Sequence, residues 1–384
     1  MEIDTPTPIQ AASIPPLLEG RDVIGQAFTG SGKTLAFGLP LIERIDVRTK
    51  WLQAIVLVPT RELALQVTRE VEAIGKVRGT RFACIYGGAS MQKQIDALSA
   101  GAQIVVGTPG RVLDHLNRGS MRLDGITYFV LDEADEMLDR GFAPDVERIL
   151  SMTASERQTA LFSATTPSWV HKVSTKYLKD PVVIETEVGA EEAPDIDHYV
   201  YEIRREDKFD VLKRLLDEPT EGTTLVFGRT KHGVRNLGLK LERMGYNVDV
   251  LQGNLSQIQR DRVISKFRAG KTPVLLATNV AARGLDVLHI SRVINFELPE
   301  THELFTHRVG RTGRMGRSGR AITLVGPADL PKWHEIERGL GRRLPRISPD
   351  GTEIVASPAA ASMSRPSAGT SFGRRRRTRA AAWR

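Results

Sequence analysis

Two segments of this sequence carry residue types that together could bind and hydrolyse a nucleotide. Residues 132–135 read Asp-Glu-Ala-Asp and follow the short β-prone run at 128–131. Far upstream, residues 27–34 read Ala-Phe-Thr-Gly-Ser-Gly-Lys-Thr. In nucleotide hydrolases of this kind, a glycine-rich loop wraps the phosphates and an acid at the end of a strand holds magnesium. The two segments therefore predict one site for a nucleoside triphosphate and Mg2+.

The upstream loop offers the groups that phosphate oxygens bind. Backbone N–H groups at a helix N-terminus point at the oxyanions, and a lysine adds a point charge. We expect Lys33 to reach the terminal phosphates and Thr34 to contact magnesium, with Ala27 standing where the usual pattern has its first glycine. The alternative is a glycine-rich turn that opens an ordinary helix. The loop residues expected at the phosphates also include Thr29, Gly30, Ser31 and Gly32.

The acidic segment offers two carboxylates with different tasks. We expect Asp132 to bind magnesium and Glu133 to orient or deprotonate the attacking water. The alternative is a solvated, acidic helix start, because residues 133–139 are rich in acids.

Composition places the chain among soluble globular proteins. The 384 residues are 41% apolar and 26% charged, and no apolar stretch approaches the ~18–20 residues of a membrane span. Residues 1–4 have no signal-peptide character. The single cysteine, Cys84, excludes an internal disulfide and a multi-cysteine metal site. A reducing cytoplasm is the expected location.

The sequence alternates short apolar runs with helix-like stretches, which predicts an α/β fold with doubly wound parallel sheets. The boundaries that we predict are a first domain at 1–185, an acidic linker at 186–197, a second domain at 198–345 and a disordered tail at 346–384. The runs expected to form strands are 22–25, 54–58, 82–86, 103–106, 128–131, 159–162, 224–227, 247–251, 274–277, 293–296 and 321–325.

Net charge is concentrated in the predicted tail. Residues 346–384 contain eight arginines and two acids, so they carry +6 of the total +8. A nucleic-acid groove in the body of the protein must therefore be local.

Between Pro6 and about Val325, the motifs in order resemble those of the DEAD-box ATP-dependent RNA helicases. Besides the two segments above, the resemblance includes Ser-Ala-Thr at 163–165 and His-Arg-Val-Gly-Arg-Thr-Gly-Arg at 307–314. It implies two tandem RecA-like domains. The spelling looks bacterial and is similar to heat-resistant RNA-dependent ATPases, whose folded C-terminal extension we do not expect here.

The resemblance implies further roles at the nucleotide. Gln10 is implied to hydrogen-bond adenine, and Asp286 to meet the ribose. Arg311 and Arg314 are implied to act as arginine fingers from the second domain, with His307 bridging toward the acidic motif. The family has an adenine-stacking aromatic residue upstream of this segment, so we expect an N-terminal truncation or altered adenine selectivity.

The resemblance also implies how hydrolysis is coupled to strand separation. Ser163, Thr165 and Asp135 match the coupling motifs. Two departures remove a negative charge each: Asn254 and Asn279 stand where the family usually has aspartate. We expect altered coupling rather than lost activity.

A last group of residues is implied to contact RNA through its backbone, with little sequence preference. These residues lie on turns and helix starts in both domains, where N–H groups can face phosphate. They are Pro59, Thr60, Arg61, Gly87, Gly88, Thr108, Pro109, Gly110, Arg111, Thr230, Arg260 and Thr278.

The expected function is RNA-stimulated ATP hydrolysis that drives local, non-processive duplex unwinding or ribonucleoprotein remodelling. The alternatives are a DNA-directed helicase and an ATP-gated RNA clamp with incidental turnover. The expected partners are RNA and ribosomal or RNA-decay proteins, with no membrane, and the expected state is a monomer. The arginines at 374–377 and 379 predict added RNA affinity. The alternative interpretations of this segment are an inert, disordered end and a shifted reading frame.

Overall fold

The computed structural model describes residues 5–27, 30–186, 196–282, 287, 289–313, 317–348 and 353–354. These residues form two sheets with helices on both faces, each sheet in its own half of the chain. The predicted fold class is confirmed.

The first domain has a seven-stranded sheet whose strand pairs are all parallel, in the order β3-β4-β2-β5-β6-β1-β7. Its strands are β1 Val23–Gln26, β2 Ala54–Leu57, β3 Phe82–Ile85, β4 Ile104–Gly107, β5 Tyr128–Leu131, β6 Gln158–Ser163 and β7 Val182–Glu185. Its helices are α1 Pro8–Leu18, α2 Lys33–Arg44, α3 Arg61–Gly75, α4 Met91–Ser99, α5 Pro109–Asn117, α6 Ala134–Asp139, α7 Ala143–Ser151 and α8 Ser168–Tyr177.

Both faces of the central strands of the first sheet are buried. Along β5, Tyr128 and Val130 pack into one hydrophobic cluster, while Phe129 and Leu131 pack into another on the opposite face. This alternation explains why the strand is apolar at every position.

The register of the first sheet brings the predicted site segments to one edge. Leu57, Leu131 and Leu161 lie side by side on β2, β5 and β6. Because parallel strands end at the same edge, the residues that follow β1, β2, β4, β5 and β6 meet there. These are the segments beginning at residues 27, 58, 108, 132 and 164.

The second domain has an eight-stranded sheet in the order β10-β11-β9-β12-β13-β8-β14-β15, parallel except between β14 and β15. Its strands are β8 Ile196–Glu202, β9 Thr223–Gly228, β10 Val248–Leu251, β11 Val274–Thr278, β12 Ile290–Asn295, β13 Gly319–Val325, β14 Arg346–Ile347 and β15 Glu353–Ile354. Its helices are α9 Lys208–Asp217, α10 Lys231–Arg243, α11 Gln257–Arg268, α12 Asn279–Ala282, α13 His302–Val309 and α14 Leu330–Gly339.

The second sheet extends past both predicted boundaries. β8 begins at Ile196, inside the predicted linker, and β14 lies beyond the boundary predicted at residue 345. β14 pairs in parallel with β8, and Arg346 forms ion pairs with Glu202 at 2.7 Å and Glu337 at 2.9 Å. The predicted start of the tail at residue 346 is therefore wrong, because this residue is part of the folded domain.

Among the described residues, no helix is long and apolar enough to cross a membrane.

Candidate functional site

The phosphate loop joins β1 to α2 in the conformation that its glycines allow. Gly30 and Gly32 both have φ of +90°, a region that residues with a Cβ rarely adopt. At Gly32 a Cβ would also lie 2.5 Å from Gln10 Nε2. Lys33 is buried and its Nζ donates to the carbonyl of Ala27 at 2.9 Å. The loop therefore holds Lys33 at its base, and contact of Lys33 with the terminal phosphates stays a prediction.

The start of α1 is tied directly to this loop. Thr7 Oγ1 donates to the carbonyl of Ser31 at 2.8 Å, and Gln10 Nε2 donates to the carbonyl of Gly32 at 3.1 Å. Gln10 Oε1 accepts from the backbone N–H of Thr7 at 3.1 Å. Gln10 thus lies beside the phosphate loop and its amide fixes the loop's position, while its implied contact with adenine stays a prediction.

The acidic motif lies at the carboxyl end of β5 and is buried. Asp132 Oδ1 accepts from the backbone N–H of Glu133 at 3.0 Å. Glu133 has φ of +55°, one of two non-glycine residues with positive φ among those described. Such backbone strain often marks functional positions.

Electrostatics sets these two carboxyls apart from ordinary surface acids. Burial, with Glu136 and Asp132 close by, raises the pKa of Glu133 well above its usual value. Burial also raises the pKa of Asp132, which Lys33 opposes. Glu133 Oε2 is buried and has no hydrogen-bond partner within the described part of the chain. A solvated helix start is therefore wrong for this segment, because both side chains are inside the protein.

The predicted coupling residues form one connected group. Asp135 Oδ2 accepts from both the backbone N–H and the hydroxyl of Thr165, each at 2.9 Å. Ser163 Oγ accepts from the backbone N–H of Asp135 at 3.2 Å, and its carbonyl accepts from the N–H of Ala27 at 3.0 Å. Hydrogen bonds thus connect the acidic motif to residues 163–165 and, through Ser163, to Ala27 of the phosphate loop.

In the second domain, α13 presents the basic motif at the carboxyl ends of β11 and β12. Arg308 is buried and donates to Asn279 Oδ1 at 2.5 Å, Asn295 Oδ1 at 3.0 Å and the carbonyl of Glu297 at 2.6 Å. Burial lowers the pKa of Arg308 to about 9. Arg311 is also buried, and its Nε donates to the carbonyl of His307 at 3.3 Å. Arg308 anchors α13, which carries His307 and ends just before Arg311.

The two domains contact each other through residues predicted to bind RNA. Arg260 of α11 forms an ion pair with Glu62 of α3, and Arg61 donates to Gln257 Oε1. Arg260 Nη2 also donates to the carbonyl of Ala281 at 2.7 Å. Arg61 and Arg260 are therefore partly committed to the domain interface in this structure.

The other predicted RNA residues of the first domain lie on turns and helix starts at the shared edge. Thr60 is the N-cap of α3, its Oγ1 accepting from Leu63 N–H at 3.1 Å, and Pro59 precedes it. Arg61 packs so closely on Gly88 that a Cβ there would lie 2.4 Å from the guanidinium. Gly87 precedes Gly88 in the same turn, and Thr108, Pro109, Gly110 and Arg111 begin α5.

In the second domain, Thr230 caps α10, its Oγ1 accepting from Gly233 N–H at 3.0 Å. Thr278 ends β11 directly before Asn279. Asn254 Oδ1 accepts from Lys231 Nζ at 3.4 Å. The predictions for Thr29, Asp286 and Arg314 lie outside the described residues.

Several residues at the site were missed by the sequence analysis. Glu62 and Gln257 lie in the same segments as predicted RNA residues. The available signal was that Glu62 can pair with Arg260 and that Gln257 can accept a hydrogen bond from Arg61. Gln94 and His115, which support Arg111, carry no recognisable pattern. A cavity of about 460 Å³ lies at the amino ends of β2, β4 and β5, beside Trp51, and contains none of the predicted site residues.

Comparison with known proteins gives consistent matches over most of the chain. Residues 7–173 match the family model for DEAD/DEAH box helicases, and residues 207–316 match that for the helicase conserved C-terminal domain. The chain is 45% identical over 349 residues to the DEAD-box ATP-dependent RNA helicase CshA of Geobacillus kaustophilus, covering 91% of this chain and 75% of that protein. It is 44% identical over 347 residues to CshA of Bacillus cereus, covering 90% of this chain and 66% of that protein.

Among solved structures, Dbp5 of S. cerevisiae bound to RNA and ADP BeF3 is similar over both domains. The TM-score is 0.83 at 36% identity, covering 91% of this chain and 92% of that one. The fold, the motifs and these matches define one class of protein, the nucleotide-driven helicases with two RecA-like domains.

Within that class, the chain belongs to the DEAD-box ATP-dependent RNA helicases, which are RNA-dependent ATPases. The family resemblance of the motifs is confirmed, and neither a DNA-directed helicase nor a clamp with incidental turnover is favoured. The chain spans 66–75% of the length of the two curated relatives named above.

Proposed function

We propose that this chain uses ATP hydrolysis to separate short RNA duplexes locally, or to displace proteins from RNA, without moving along the strand. The observation that carries the proposal is the contact between the two domains at α3 and α11, where Glu62 pairs with Arg260 and Arg61 donates to Gln257. A nucleotide beside the phosphate loop would then be enclosed from both sides, which assembles a catalytic site by domain closure. The similarity to Dbp5 bound to RNA and ADP BeF3 supports this arrangement.

In the proposed ATP site, the loop and Lys33 bind the phosphates, while Gln10 recognises adenine and Asp286 the ribose. Thr34 and Asp132 would hold Mg2+, and this donor set fits an ion that binds through one or two carboxylates plus substrate phosphates. When bound, the ion neutralises phosphate charge and orients the phosphate oxygens. The loop members Ala27, Thr29, Gly30, Ser31 and Gly32 complete the proposed cradle.

Glu133 is the proposed general base. Its unpaired, buried Oε2 is the oxygen available to take the proton of the attacking water, and burial increases the proton affinity of the carboxylate.

Arg311 and Arg314 are the proposed arginine fingers, with His307 linking them toward the acidic motif. A finger residue can contribute ~10³–10⁵ in rate by stabilising transition-state charge. The anchoring of α13 through Arg308 supports this role, because a finger must be held in place when the cleft closes. The hydrogen bonds of Asp135 with Thr165 and Ser163 would couple ATP hydrolysis to strand separation.

The proposed RNA track follows the shared edge of both sheets. Main-chain N–H groups at helix starts and turns would contact phosphates, with single arginines adding charge. The residues proposed for it are Pro59, Thr60, Arg61, Gly87, Gly88, Thr108, Pro109, Gly110 and Arg111 in the first domain, and Thr230, Arg260 and Thr278 in the second.

We further propose that the protein acts in the cytoplasm as a monomer, on RNA that is bound by ribosomal or RNA-decay proteins. The arginine-rich segment near the C-terminus is proposed to add sequence-independent RNA affinity by neutralising phosphates. Removing residues 355–384 should weaken RNA binding and flatten its dependence on salt.

A strand-displacement assay tests the proposal. A short RNA duplex should be separated with ATP, and a long duplex of the same composition should not. Efficient separation of the long duplex would contradict the local, non-processive mode.

A further inference from the structure

A buried hydrogen-bond network connects two of the segments proposed to contact RNA, the turn at residues 86–89 and the start of α5. Its central residues are Gln94 of α4, which is 5% exposed, and His115 of α5, which is 0% exposed. Neither residue can touch RNA, because both side chains lie inside the first domain.

Gln94 bonds to both segments at once. Its Nε2 donates to the carbonyl of Tyr86 at 2.9 Å, which leaves Oε1 as the acceptor. Oε1 accepts from Arg111 Nη1 at 3.3 Å, and the same Nη1 donates to the carbonyl of Ala89 at 3.2 Å. The guanidinium of Arg111 is therefore held against the 86–89 turn.

His115 holds Gln94 from the other side. Its Nε2 lies 2.9 Å from Gln94 Oε1, and its Nδ1 lies 2.9 Å from Ser120 Oγ. Since Gln94 Oε1 can only accept, His115 Nε2 must donate, and Nδ1 of the neutral ring is left as an acceptor facing Ser120 Oγ, whose hydroxyl also lies 3.1 Å from the carbonyl of His115. Burial, with Arg111 nearby, lowers the pKa of His115, which agrees with a neutral ring.

Arg111 also has a competing partner. Asp114 lies one turn further along α5, with its Oδ2 3.8 Å from Arg111 Nε. Without the acceptors at Gln94 and Ala89, this carboxylate would draw the guanidinium back along the helix. Gln94 and Ala89 therefore hold the Nη1 end of the guanidinium towards the 86–89 turn, while Asp114 faces its Nε.

We propose that Gln94 and His115 are positioning residues for RNA, which set the direction of Arg111 and the spacing between the 86–89 turn and the start of α5. The backbone agrees, because the N–H of Thr108 donates to the carbonyl of Ile85 at 2.9 Å, just before the turn. The inference rests on the proposed RNA-contact role of Gly87, Gly88 and Arg111.

The test is RNA-stimulated ATP hydrolysis by the full chain, titrated with single-stranded RNA. Gln94→Leu and His115→Leu should each raise the RNA concentration for half-maximal stimulation about fivefold to thirtyfold, the effect of losing one or two buried hydrogen bonds. The KM for ATP and the kcat at saturating RNA should stay unchanged. His115→Gln should restore most of the RNA response, because its side-chain amide can still donate to Gln94.

Gln103 provides a matched control in the same domain. Gln103 is also buried, and its Nε2 donates to the carbonyls of Val47 and Thr49. It lies just before the amino end of β4, whereas Thr108 follows the carboxyl end of that strand. Gln103→Leu should lower the melting temperature by a similar amount and leave the RNA response unchanged.

Arg111→Ala separates failure of this inference from failure of the proposed RNA track. If Arg111→Ala raises the half-maximal RNA concentration and Gln94→Leu does not, the positioning inference is overturned. If Arg111→Ala also has no effect, the proposed role of this segment in RNA contact is itself wrong. Should Gln94→Leu fail to fold, equal RNA responses of His115→Leu and His115→Gln would overturn the inference.

Discussion

Glu62 of α3 and Arg260 of α11 form an ion pair across the two domains, although 198 residues separate them in sequence. Their side chains are 14% and 15% exposed, so the pair is largely shielded from solvent. It lies at the same edge as the residues proposed to bind RNA. The contacts between the domains and the proposed contacts to RNA thus involve neighbouring residues, and we propose that RNA favours closure through them.

Glu62→Gln should weaken closure, because it removes the charge that Arg260 faces. A hydrogen bond to a charged group contributes about 1.5–3 kcal/mol, so the RNA concentration for half-maximal ATPase should rise about tenfold. Fluorescence energy transfer between dyes on the two domains should show less of the closed state with ATP and RNA.

Glu156→Gln is the control for this change. Glu156 pairs with Lys179 within the first domain, and both side chains are more than half exposed, so the loss should be small. Equal behaviour of the two variants would mean that the Glu62–Arg260 pair does not stabilise closure.

Thr165→Val should separate hydrolysis from unwinding. It removes the hydroxyl that donates to Asp135 Oδ2 at 2.9 Å and keeps the backbone N–H that donates to the same oxygen. RNA-stimulated ATPase should stay within about twofold while strand displacement falls about tenfold, the range expected for one such hydrogen bond. A parallel loss of both activities would count against a coupling role.

Asn279→Asp should stabilise the second domain by about 1 kcal/mol, because hydrogen bonds between charged groups are stronger than those to a neutral amide. At present both side-chain acceptors of the buried Arg308 are amides, Asn279 and Asn295. Urea unfolding measures the effect. Asn279→Ala should destabilise the domain, and if Asn279→Asp is equally unstable, the proposed charge pairing is wrong.

His198 should make the second domain sensitive to acid. Burial, with Arg342 facing its Nε2, lowers the pKa of His198 to about 4 from the ordinary value of 6.5. The unfolded chain then binds more protons than the folded one between these values, so stability is lost as pH falls from about 6.5 to about 4. His198→Phe, which can keep the stacking on Phe305, should remove about 2 kcal/mol of this loss at pH 4.5. If the melting temperatures of the two proteins fall in parallel between pH 8 and pH 4.5, the role of His198 in acid sensitivity is contradicted.

The central strands could be predicted from the sequence because burial on both faces makes them apolar at every position. β5 was predicted with its observed bounds, Tyr128–Leu131, and the phosphate loop and acidic motif follow strands as expected. β7 and β8 were missed. β8, Ile196–Glu202, mixes charged and apolar residues and begins inside an acidic stretch, so its sequence is typical of a linker.

The candidate site could be predicted as far as its local motifs reach. The hydrogen bonds that Ala27 donates to Ser163 and that Thr165 donates to Asp135 join segments that belong to separate motifs. Long-range choices of partner could not be predicted. Arg260 could equally face RNA or Glu62, and only the placement of α3 beside α11 decides between them.

The most direct test of the account is steady-state ATP hydrolysis by the whole chain without nucleic acid, with RNA, and with DNA of the same sequence. The account predicts that RNA raises the rate at least about tenfold, that DNA does not, and that Glu133→Gln abolishes the RNA-stimulated rate while ATP still binds. Equal rates with and without RNA, stimulation by DNA alone, or undiminished turnover by Glu133→Gln would contradict it.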